Sequence, residues 1–243
     1  MISSYLKWPG NNFGDKLNDI IFPMLGVTNC IEYKKPNLIN LTSATALGLG
    51  TLLTKKVRSP VTVFGSGADG SRKPNVNLNY KFVRGKYTAN YLNLDNSLAI
   101  GDTAYFLKNY IQNLDVGFKN CDIGIIPHYV NDNEIDQDNI ISPTLPIEEF
   151  IKKVSQCKII LAEAMHGAIC ADILRIPWAP ITINNIKYPI QYFKWNDFAS
   201  VFDIQLDFGT IDSYKLYLSN DKQFNNVCSV ITDIMCSHIS VNK

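Results

Sequence analysis

Residues 158–181 constrain the fold of this chain most strongly, because they describe a strand, a turn, a helix and a second strand in succession. The apolar run at 158–162 is typical of a buried parallel strand. The turn at 164–167 leads into residues of helical character, which stop before Pro177. The segment 178–181 then predicts the next strand. A unit of this kind is typical of a parallel α/β sheet.

His166 and Gly167 lie at the turn of this unit, where open α/β sheets bind ligands beyond the carboxyl ends of their strands. A helix N-terminus there offers unpaired N–H groups and a partial positive charge to an anion. Gly167 lets a ligand approach the backbone closely. His166, with an unperturbed pKa near 6.5, would contact an anion as imidazolium or relay a proton. The alternative is a histidine that only satisfies buried backbone at the turn.

Strands and helices alternate along the rest of the chain. Strands are predicted at 3–8, 60–64, 80–83, 97–100, 121–126 and 140–142, and helices at 15–25, 42–53, 86–92, 146–154 and 224–239. We therefore expect an α/β protein with two Rossmann-like domains facing a cleft, in a GT-B-like architecture. The N-terminal domain is predicted at 1–112 and the C-terminal domain at 113–243.

The composition argues against several classes of protein. The 243 residues carry a formal net charge of +1, which gives no field for nucleic acid or an anionic membrane. The sequence has no apolar run of membrane-spanning length, and its first residues lack the apolar core of a signal peptide. The six cysteines show no CxxC spacing, so we expect no metal site and reduced thiols in a cytoplasmic protein.

Further candidate binding residues follow other predicted strands. Arg84 stands beside a glycine at a strand end, where a guanidinium suits bidentate binding of phosphate or carboxylate. His128 follows another strand end and would line the same cleft as His166. Gly65-Ser66-Gly67 permits close backbone approach to a ligand but matches neither Walker A nor GxGxxG. The structural alternatives are an arginine paired with a neighbouring acid, a loop histidine and an ordinary glycine turn.

Two carboxylates near predicted turns are candidates for moving protons. Asp15 is either the N-cap of the first helix or a substrate-facing carboxylate. Glu163 ends the strand before His166, as a general acid or as a side chain that orients the imidazole. His238 is expected to be structural. Packing, rather than stacking on a sugar, is predicted for the aromatic side chains late in the chain: Tyr188, Tyr192, Phe193 and Trp195.

Five short segments in a fixed order carry a resemblance to a known family. They are Asn12-Phe13-Gly14-Asp15-Lys16-Leu17-Asn18, Val83-Arg84-Gly85-Lys86-Tyr87-Thr88, Gly101-Asp102-Thr103-Ala104, Ile126-Pro127-His128, and Glu163-Ala164-Met165-His166-Gly167-Ala168-Ile169 with Ala171-Asp172 and Pro177-Trp178. Together they resemble the polysaccharide pyruvyl transferases, and the succinoglycan-type ketalase branch most closely. The resemblance covers about residues 10–182.

Two positions depart from the pattern of that family. Ala164-Met165 stands where many members have Arg-Leu before the His-Gly, and Thr103 replaces a proline. One anion-binding cation of the family is therefore expected to be absent, or to be supplied by Lys7, Lys86 or Arg175.

The resemblance implies an enzyme that transfers pyruvate from phosphoenolpyruvate to two hydroxyls of one sugar, giving a cyclic ketal and releasing phosphate. The acceptor would be a lipid-linked oligosaccharide or polysaccharide precursor of a surface or capsular polysaccharide, and no cofactor is needed. The protein would work in the cytoplasm, at the inner face of the membrane in peripheral association, with a homo-oligomer allowed.

The resemblance also implies roles for the candidate residues. Arg84 and His166 would contact the donor's anionic groups, and the backbone of Met165 and Gly167 would assist. Proton transfer would fall to one of three side chains: Asp15, Glu163 or His128.

Two other functions remain open. A GT-B glycosyltransferase that uses a nucleotide sugar would share the architecture and would bind a diphosphate in the same crevice. A glycan-binding relative without catalysis would bind sugar and leave phosphoenolpyruvate unconsumed.

Overall fold

The computed structural model describes residues 2–33, 41–54, 57, 60–74, 76–114, 117–132, 139–183 and 191–239. Its strands are β1 (Ser4–Lys7), β2 (Cys30–Glu32), β3 (Thr45–Leu47), β4 (Thr62–Phe64), β5 (Asn79–Phe82), β6 (Cys121–Ile126), β7 (Cys157–Ala162) and β8 (Trp178–Pro180). Its α-helices are α1 (Phe13–Met24), α2 (Lys86–Leu92), α3 (Lys108–Ile111), α4 (Ile147–Ser155), α5 (Met165–Ile173), α6 (Tyr192–Ala199) and α7 (Asp221–Ile239). Short 3-10 helices lie at Asn96–Leu98, Thr103–Leu107 and Ser200–Phe202.

The strands form two parallel sheets. The first has the order β2-β1-β3-β4-β5, and the second has the order β6-β7-β8. In the second sheet Cys121 lies opposite Cys157, and Ile126 lies opposite Ala162. Because every ladder is parallel, the carboxyl ends of the strands in each sheet meet at one edge, where ligands bind in this class. The predicted α/β class is confirmed.

Helix α1 follows strand β1 of the first sheet in the sequence, but it also packs against α4 and α5, the helices next to the second sheet. Phe13, its first residue, stacks on Phe150 of α4 with ring centroids 4.1 Å apart. The Phe13 N–H donates to the carbonyl of Pro143 at 2.7 Å. Leu17 and Ile21, one and two turns further on, are fully buried in the hydrophobic core that α1 shares with α4 and α5. The N-terminus of α1 is thereby held beside the carboxyl edge of the second sheet.

The buried carboxylate of Asp172 ties three distant segments together. It accepts hydrogen bonds from Tyr105 Oη at 2.9 Å and Trp178 Nε1 at 3.2 Å. It also accepts from the backbone N–H of Ser219 at 2.9 Å and from Ser219 Oγ at 2.6 Å. Burial and the nearby Asp172 charge raise the pKa of Tyr105 well above its usual range, so the phenol keeps the proton that it donates.

Most predicted elements lie where the sequence placed them. Helix α2 and strand β6 have the predicted bounds, and the strand–turn–helix–strand unit at 158–181 is present as β7, α5 and β8. The predicted strands at 97–100 and 140–142 are reduced to single parallel bridges, Val83 with Ala99 and Ile125 with Ile140.

Two predictions about the first half of the chain are wrong. The helix predicted at 42–53 is replaced by strand β3, which lies between β1 and β4 and is buried along its whole length. A short apolar run reads alike as a buried strand or a helix, and periodicity does not separate the two. The N-cap of α1 is Asn12, whose side-chain oxygen accepts from the Asp15 N–H at 3.2 Å, so Asp15 is not the cap.

No helix in the described part of the chain combines the length and the apolar character needed to cross a bilayer. Tyr188, in the aromatic group near the end of the chain, lies outside the described residues. Trp195 from the same group is buried, with its ring centroid 6.2 Å from that of Trp178, which agrees with a packing role.

We predict that Asp172→Ala lowers the free energy of unfolding by about 3–5 kcal/mol, because four donors lose a charged, buried acceptor. Urea unfolding followed by circular dichroism measures the loss. The control is Asp221→Ala, which removes an exposed carboxylate paired with Arg175 at 2.8 Å and should cost less than about 1 kcal/mol. Equal losses in the two variants would contradict the role given to Asp172.

Candidate functional site

A cavity of roughly 400 Å³, measured to its open mouth, lies where the N-termini of α1 and α5 meet. Its wall is formed by Asn12, Phe13, Gly14, Ile126, His128, Tyr129, Pro143, Phe150, Ala164, Met165, His166, Gly167 and Lys194. The first N–H groups of a helix have no carbonyl partner within it. In α1 the N–H groups of Phe13 and Asp15 donate to the Pro143 carbonyl and to Asn12 Oδ1, and in α5 the Gly167 N–H donates to the Ala164 carbonyl. The N–H groups of Gly14, Met165 and His166 have no partner among the described residues, so these donors and the two partial positive charges remain for an anion.

Two glycines allow the close packing that forms this wall. A Cβ on Gly14 would overlap the imidazole of His166, so a larger residue there would displace the ring. A Cβ on Gly167 would lie 2.9 Å from side-chain atoms of Ile126, at the end of β6. The absence of a side chain at both positions lets α1, α5 and β6 converge around His166.

His166 faces the buried carboxylate of Asp102. Their closest atoms, His166 Nε2 and Asp102 Oδ2, are 3.6 Å apart, and neither has a hydrogen-bond partner among the described residues. The other oxygen, Asp102 Oδ1, accepts from the N–H of Ala104 at 3.0 Å and so caps a 3-10 helix. Burial raises the pKa of Asp102, but interaction with His166 and the charge of Arg84 outweigh it and leave that pKa lowered. Asp102 is therefore an ionised carboxylate beside the imidazole.

Asp15 differs from Asp102 in its protonation behaviour. Burial raises the pKa of the Asp15 carboxyl, although the charges of His166 and Lys194 and a hydrogen bond from Asn12 Nδ2 act against the increase. Two carboxyl groups near one histidine thus have pKa values shifted in opposite directions. Such a pair can divide the roles of proton donor and fixed negative charge.

His128 and Lys194 complete the polar part of the wall. Burial first, and the charge of Lys194 second, lower the pKa of His128 to about 4, so its imidazole is neutral at pH 7. Burial and the charge of Arg84 lower the pKa of Lys194 to about 8, while Asp15 and Asp102 act to raise it. The ammonium form of Lys194 therefore predominates at pH 7.

Arg84 is completely buried and does not line the cavity. Its Nε donates to Asp197 Oδ2 at 2.8 Å, its Nη1 to Thr51 Oγ1 at 3.1 Å and its Nη2 to the carbonyl of Ala68 at 2.9 Å. The expected direct contact between this guanidinium and a ligand has no support in this geometry, because its nitrogens already bond within the protein.

Arg84 nevertheless lies close enough to influence the site. Its charge helps to lower the pKa of Asp102 from one side while His166 does so from another. The sequence predicts that Arg84 and His166 both contact the ligand at one cavity, and the structure shows a different arrangement. Arg84 and His166 both lie close to the buried carboxylate of Asp102, and of the two only His166 reaches the cavity wall.

Glu163 also lies outside the cavity wall. Its carboxylate accepts hydrogen bonds from His128 N at 2.8 Å, Asn131 Nδ2 at 2.9 Å and Ile183 N at 3.4 Å. These bonds join the segment that follows β6 to the segment that follows β8. The structure thus gives Glu163 a role in positioning His128, in place of the expected role as a general acid or as a support for His166.

The segment Gly65-Ser66-Gly67 packs inside the first half of the chain instead of against the cavity. Ser66 Oγ donates to the carbonyl of Gly48 at 2.6 Å, and Gly65 has a φ of +74°, which favours glycine. A Cβ on Gly67 would overlap the guanidinium of Arg84. The close backbone approach expected here is therefore made to Arg84, and not to a ligand.

None of the three cations suggested as substitutes lines the cavity. Each pairs with a carboxylate elsewhere: Lys7 with Asp19 at 2.5 Å, Lys86 with Asp203 at 2.6 Å and Arg175 with Asp221 at 2.8 Å. Lys194 occupies the wall instead, and neither its α6 position nor its spacing marked it in the sequence. Thr103 uses its hydroxyl to donate to the carbonyl of Phe64.

Among the described residues, no group of three or more His, Cys, Asp or Glu side chains comes together as a metal site. The polar groups that line the cavity are the ammonium group of Lys194, the imidazoles of His128 and His166, and helix N–H donors. This combination suits a small organic anion.

Comparison with known proteins shows which family the sequence matches. The sequence model of the family described as polysaccharide pyruvyl transferase matches residues 47–185, more than half of the chain. The succinoglycan biosynthesis protein ExoV of Rhizobium meliloti is 28% identical over 218 residues, which cover 82% of this chain and 64% of that protein. The uncharacterized protein L143 of Acanthamoeba polyphaga mimivirus is 26% identical over 178 residues, which cover 66% of this chain and 60% of that protein. The chain thus spans less than two thirds of either relative, and no solved structure matches it significantly.

We predict that Arg84→Met lowers the free energy of unfolding by about 3–5 kcal/mol, because it leaves the buried carboxylate of Asp197 without its cation. Lys86→Met, which breaks an exposed pair two residues away, should cost at most about 1 kcal/mol. Chemical denaturation of both variants measures the difference. Near-normal stability of Arg84→Met would restore the expectation that this side chain serves ligand binding.

We predict that Asp15→Asn becomes progressively more stable than the wild type as pH rises. The raised pKa means that folded Asp15 holds its proton longer than unfolded Asp15, so ionisation between the usual value near 3.9 and the raised value costs the wild type stability. The measurement is the free energy of unfolding of both proteins from pH 4 to pH 8.

Asp122→Asn provides a comparison of opposite sign, because the ion pair with Lys158 lowers the pKa of Asp122. In this comparison the wild type should lose its stability advantage over Asp122→Asn as pH falls. The same trend in both variants would show that burial does not control Asp15.

Proposed function

We propose, from the premise that the chain belongs to the polysaccharide pyruvyl transferase family, that it transfers pyruvate from phosphoenolpyruvate to two hydroxyls of one sugar. The product is a cyclic ketal on an exopolysaccharide or capsule precursor, and inorganic phosphate is released. The similarity to a succinoglycan biosynthesis protein supports a polysaccharide as the acceptor. The chemistry needs no metal or organic cofactor.

The observation that carries this proposal is the meeting of two helix N-termini and His166 at one cavity. Phosphoenolpyruvate carries a phosphate and a carboxylate, so its site must supply fixed donors for two anionic groups. The N-termini of α1 and α5 supply the backbone N–H groups of Gly14, Met165 and His166, whereas the Gly167 N–H donates to the carbonyl of Ala164 at 2.9 Å. His166 adds an imidazole at the same helix end.

The reaction begins with protonation of the methylene carbon of phosphoenolpyruvate, which gives an oxocarbenium-like centre at the neighbouring carbon. One sugar hydroxyl attacks that carbon, the bond to the phosphate oxygen breaks, and the second hydroxyl attacks to close the ketal. Of the two hydroxyl protons, one restores the general acid and the other leaves with phosphate as the hydrogen phosphate dianion. The apolar wall of Phe13, Phe150 and Met165 limits access of water to the cationic centre.

Asp15 is the side chain that we assign as the general acid. It does not line the cavity wall itself, but its carboxyl accepts a hydrogen bond from Asn12, which does. Its raised pKa keeps the carboxyl protonated to higher pH than an exposed aspartate, as a proton donor to carbon requires. Asp102 is a positioning residue, because its ionised carboxylate lies 3.6 Å from His166 Nε2 and orients the imidazole at the cavity wall. His128 contributes a neutral imidazole to the wall.

Several broader expectations belong to the same proposal. The acceptor is a lipid-linked oligosaccharide or polysaccharide, and the protein works in the cytoplasm in peripheral contact with the inner face of the membrane. The two sheets act as the two halves of a GT-B-like cleft, with residues 1–112 on the acceptor side and 113–243 on the donor side. A homo-oligomer is compatible with this arrangement.

We predict that the protein releases phosphate from phosphoenolpyruvate only when a suitable oligosaccharide is present, and that nucleotide sugars do not replace the donor. His166→Ala and Asp15→Asn should each lower turnover by at least about 10²-fold, since they remove an anion contact and a proton donor. Phosphate release and mass spectrometry of the pyruvylated sugar are the measurements.

The matched control is His238→Ala, on the exposed side of α7, where the imidazole interacts with Ser237 and the carbonyl of Ile234. It should turn over at the wild-type rate. Wild-type transfer from a nucleotide sugar would support a glycosyltransferase, and sugar binding without phosphate release would support a non-catalytic relative. Near-normal turnover of both site variants would overturn the residue assignment.

A further inference from the structure

We propose that Lys194 is the cation that binds the anionic donor, through an ammonium group that α6 holds at the wall of the cavity. The assignment rests on the proposed function for the identity of the donor. Among the described residues that line the cavity, Lys194 is the one lysine or arginine. His128 and His166 lie in the same wall.

Helix α6 is anchored by the residues that follow Lys194. Trp195 and Phe198 are buried against Trp178, with ring centroids 6.2 Å and 5.5 Å apart. Asp197 is completely buried, in the ion pair with Arg84. The backbone that carries Lys194 is therefore anchored immediately after it, which limits the positions that the ammonium group can reach.

Asp197 strengthens this anchor through a second contact with the first half of the chain. Its carboxylate accepts from the N–H of Thr88 at 2.7 Å and from Thr88 Oγ1 at 2.6 Å, in addition to its pair with Arg84. Arg84, which follows β5, and Thr88 of α2 are thus joined to Asp197 of α6 by charged, buried hydrogen bonds. Because those bonds cross from one half of the chain to the other, they hold α6 against the first half of the chain.

Lys194 remains an ammonium ion at pH 7, although burial and the charge of Arg84 lower its pKa to about 8. Asp15 and Asp102 attract it, while Arg84 and the burial of the side chain act against its charge. In the part of the chain that the structure describes, the ammonium group of Lys194 makes no hydrogen bond and no ion pair. A cation that is partly removed from water without a counter-ion is costly unless an anion binds to it.

The neighbouring groups indicate which anion that would be. Two helix N-termini, an imidazole and one ammonium group give donors for two separate anionic groups on a small molecule, as a phosphate and a carboxylate require. We therefore assign Lys194 to phosphoenolpyruvate.

Calorimetric titration of the purified protein with phosphoenolpyruvate, without acceptor, tests this assignment. The wild type should bind, Lys194→Met should bind about 10- to 100-fold more weakly, and Lys194→Arg should recover most of the affinity. Lys158→Met is the matched control, because Lys158 is an exposed lysine paired with Asp122 at 2.7 Å, and it should bind like the wild type.

The pH dependence of binding separates a direct contact from a structural effect. Affinity of the wild type should fall as pH rises above about 8, where free Lys194 loses its proton, and Lys194→Met should show no such fall. The other titratable or charged groups around the ammonium are Arg84, Asp15, Asp102, His128 and His166. Lys194→Met keeps all of them, so a fall in affinity that only the wild type shows is due to Lys194. Thermal unfolding of each variant shows whether it remains folded.

The outcomes distinguish this inference from the proposed function. If the wild type binds phosphoenolpyruvate with the stated loss in Lys194→Met, but releases no phosphate with any acceptor, the function fails and the binding role stands. If folded Lys194→Met binds with wild-type affinity, or if the wild type does not bind phosphoenolpyruvate, the inference is overturned.

Discussion

The buried ion pair between Arg84 and Asp197 is the contact on which the geometry of the cavity depends. It joins residues 113 positions apart in the sequence, and both side chains are fully shielded from solvent. A pair of this kind does not have to add net stability, but the loss of one partner leaves an uncompensated charge in the interior. Its structural effect is to hold α6 against the first half of the chain, with Lys194 at the cavity wall.

Burial and neighbouring charges shift the pKa values of the groups in the cavity wall and directly behind it. Asp15 retains its proton to higher pH, Asp102 remains ionised, His128 is neutral and the pKa of Lys194 falls to about 8. Groups with opposed shifts around one opening are typical of sites that bind anions and move protons. The same burial explains why these groups are functional candidates while exposed pairs such as Lys158 with Asp122 are not.

The sequence was a good guide to local structure and to the position of His166. Buried strands bounded by turns, and helices such as α2 with clear ends, follow from patterns of a few residues. Strand β3 was predicted as a helix, because a short apolar run that is buried on both faces shows no periodicity in its hydrophobic residues. The cap of α1 was missed because Asn12 and Asp15 are both suitable residue types, and only the structure shows which one bonds to the backbone.

The site was harder to predict, because its chemistry depends on partners far apart in the chain. Nothing near Arg84 in the sequence indicates that Asp197 will bury it, and nothing near Lys194 indicates that it will reach the cavity of His166. The family resemblance pointed to the correct strand ends and to the missing arginine before His166. It did not identify Asp102 as the neighbour of the imidazole, although that residue lies in one of the resembling segments.

A crystal structure of the protein with bound phosphoenolpyruvate is the most direct test of the account. We predict that the donor lies between the N-termini of α1 and α5, with an anionic group within hydrogen-bonding distance of His166 and of the backbone that begins α5. Donor density at a different surface, with this cavity filled only by water at saturating donor concentration, would contradict the account.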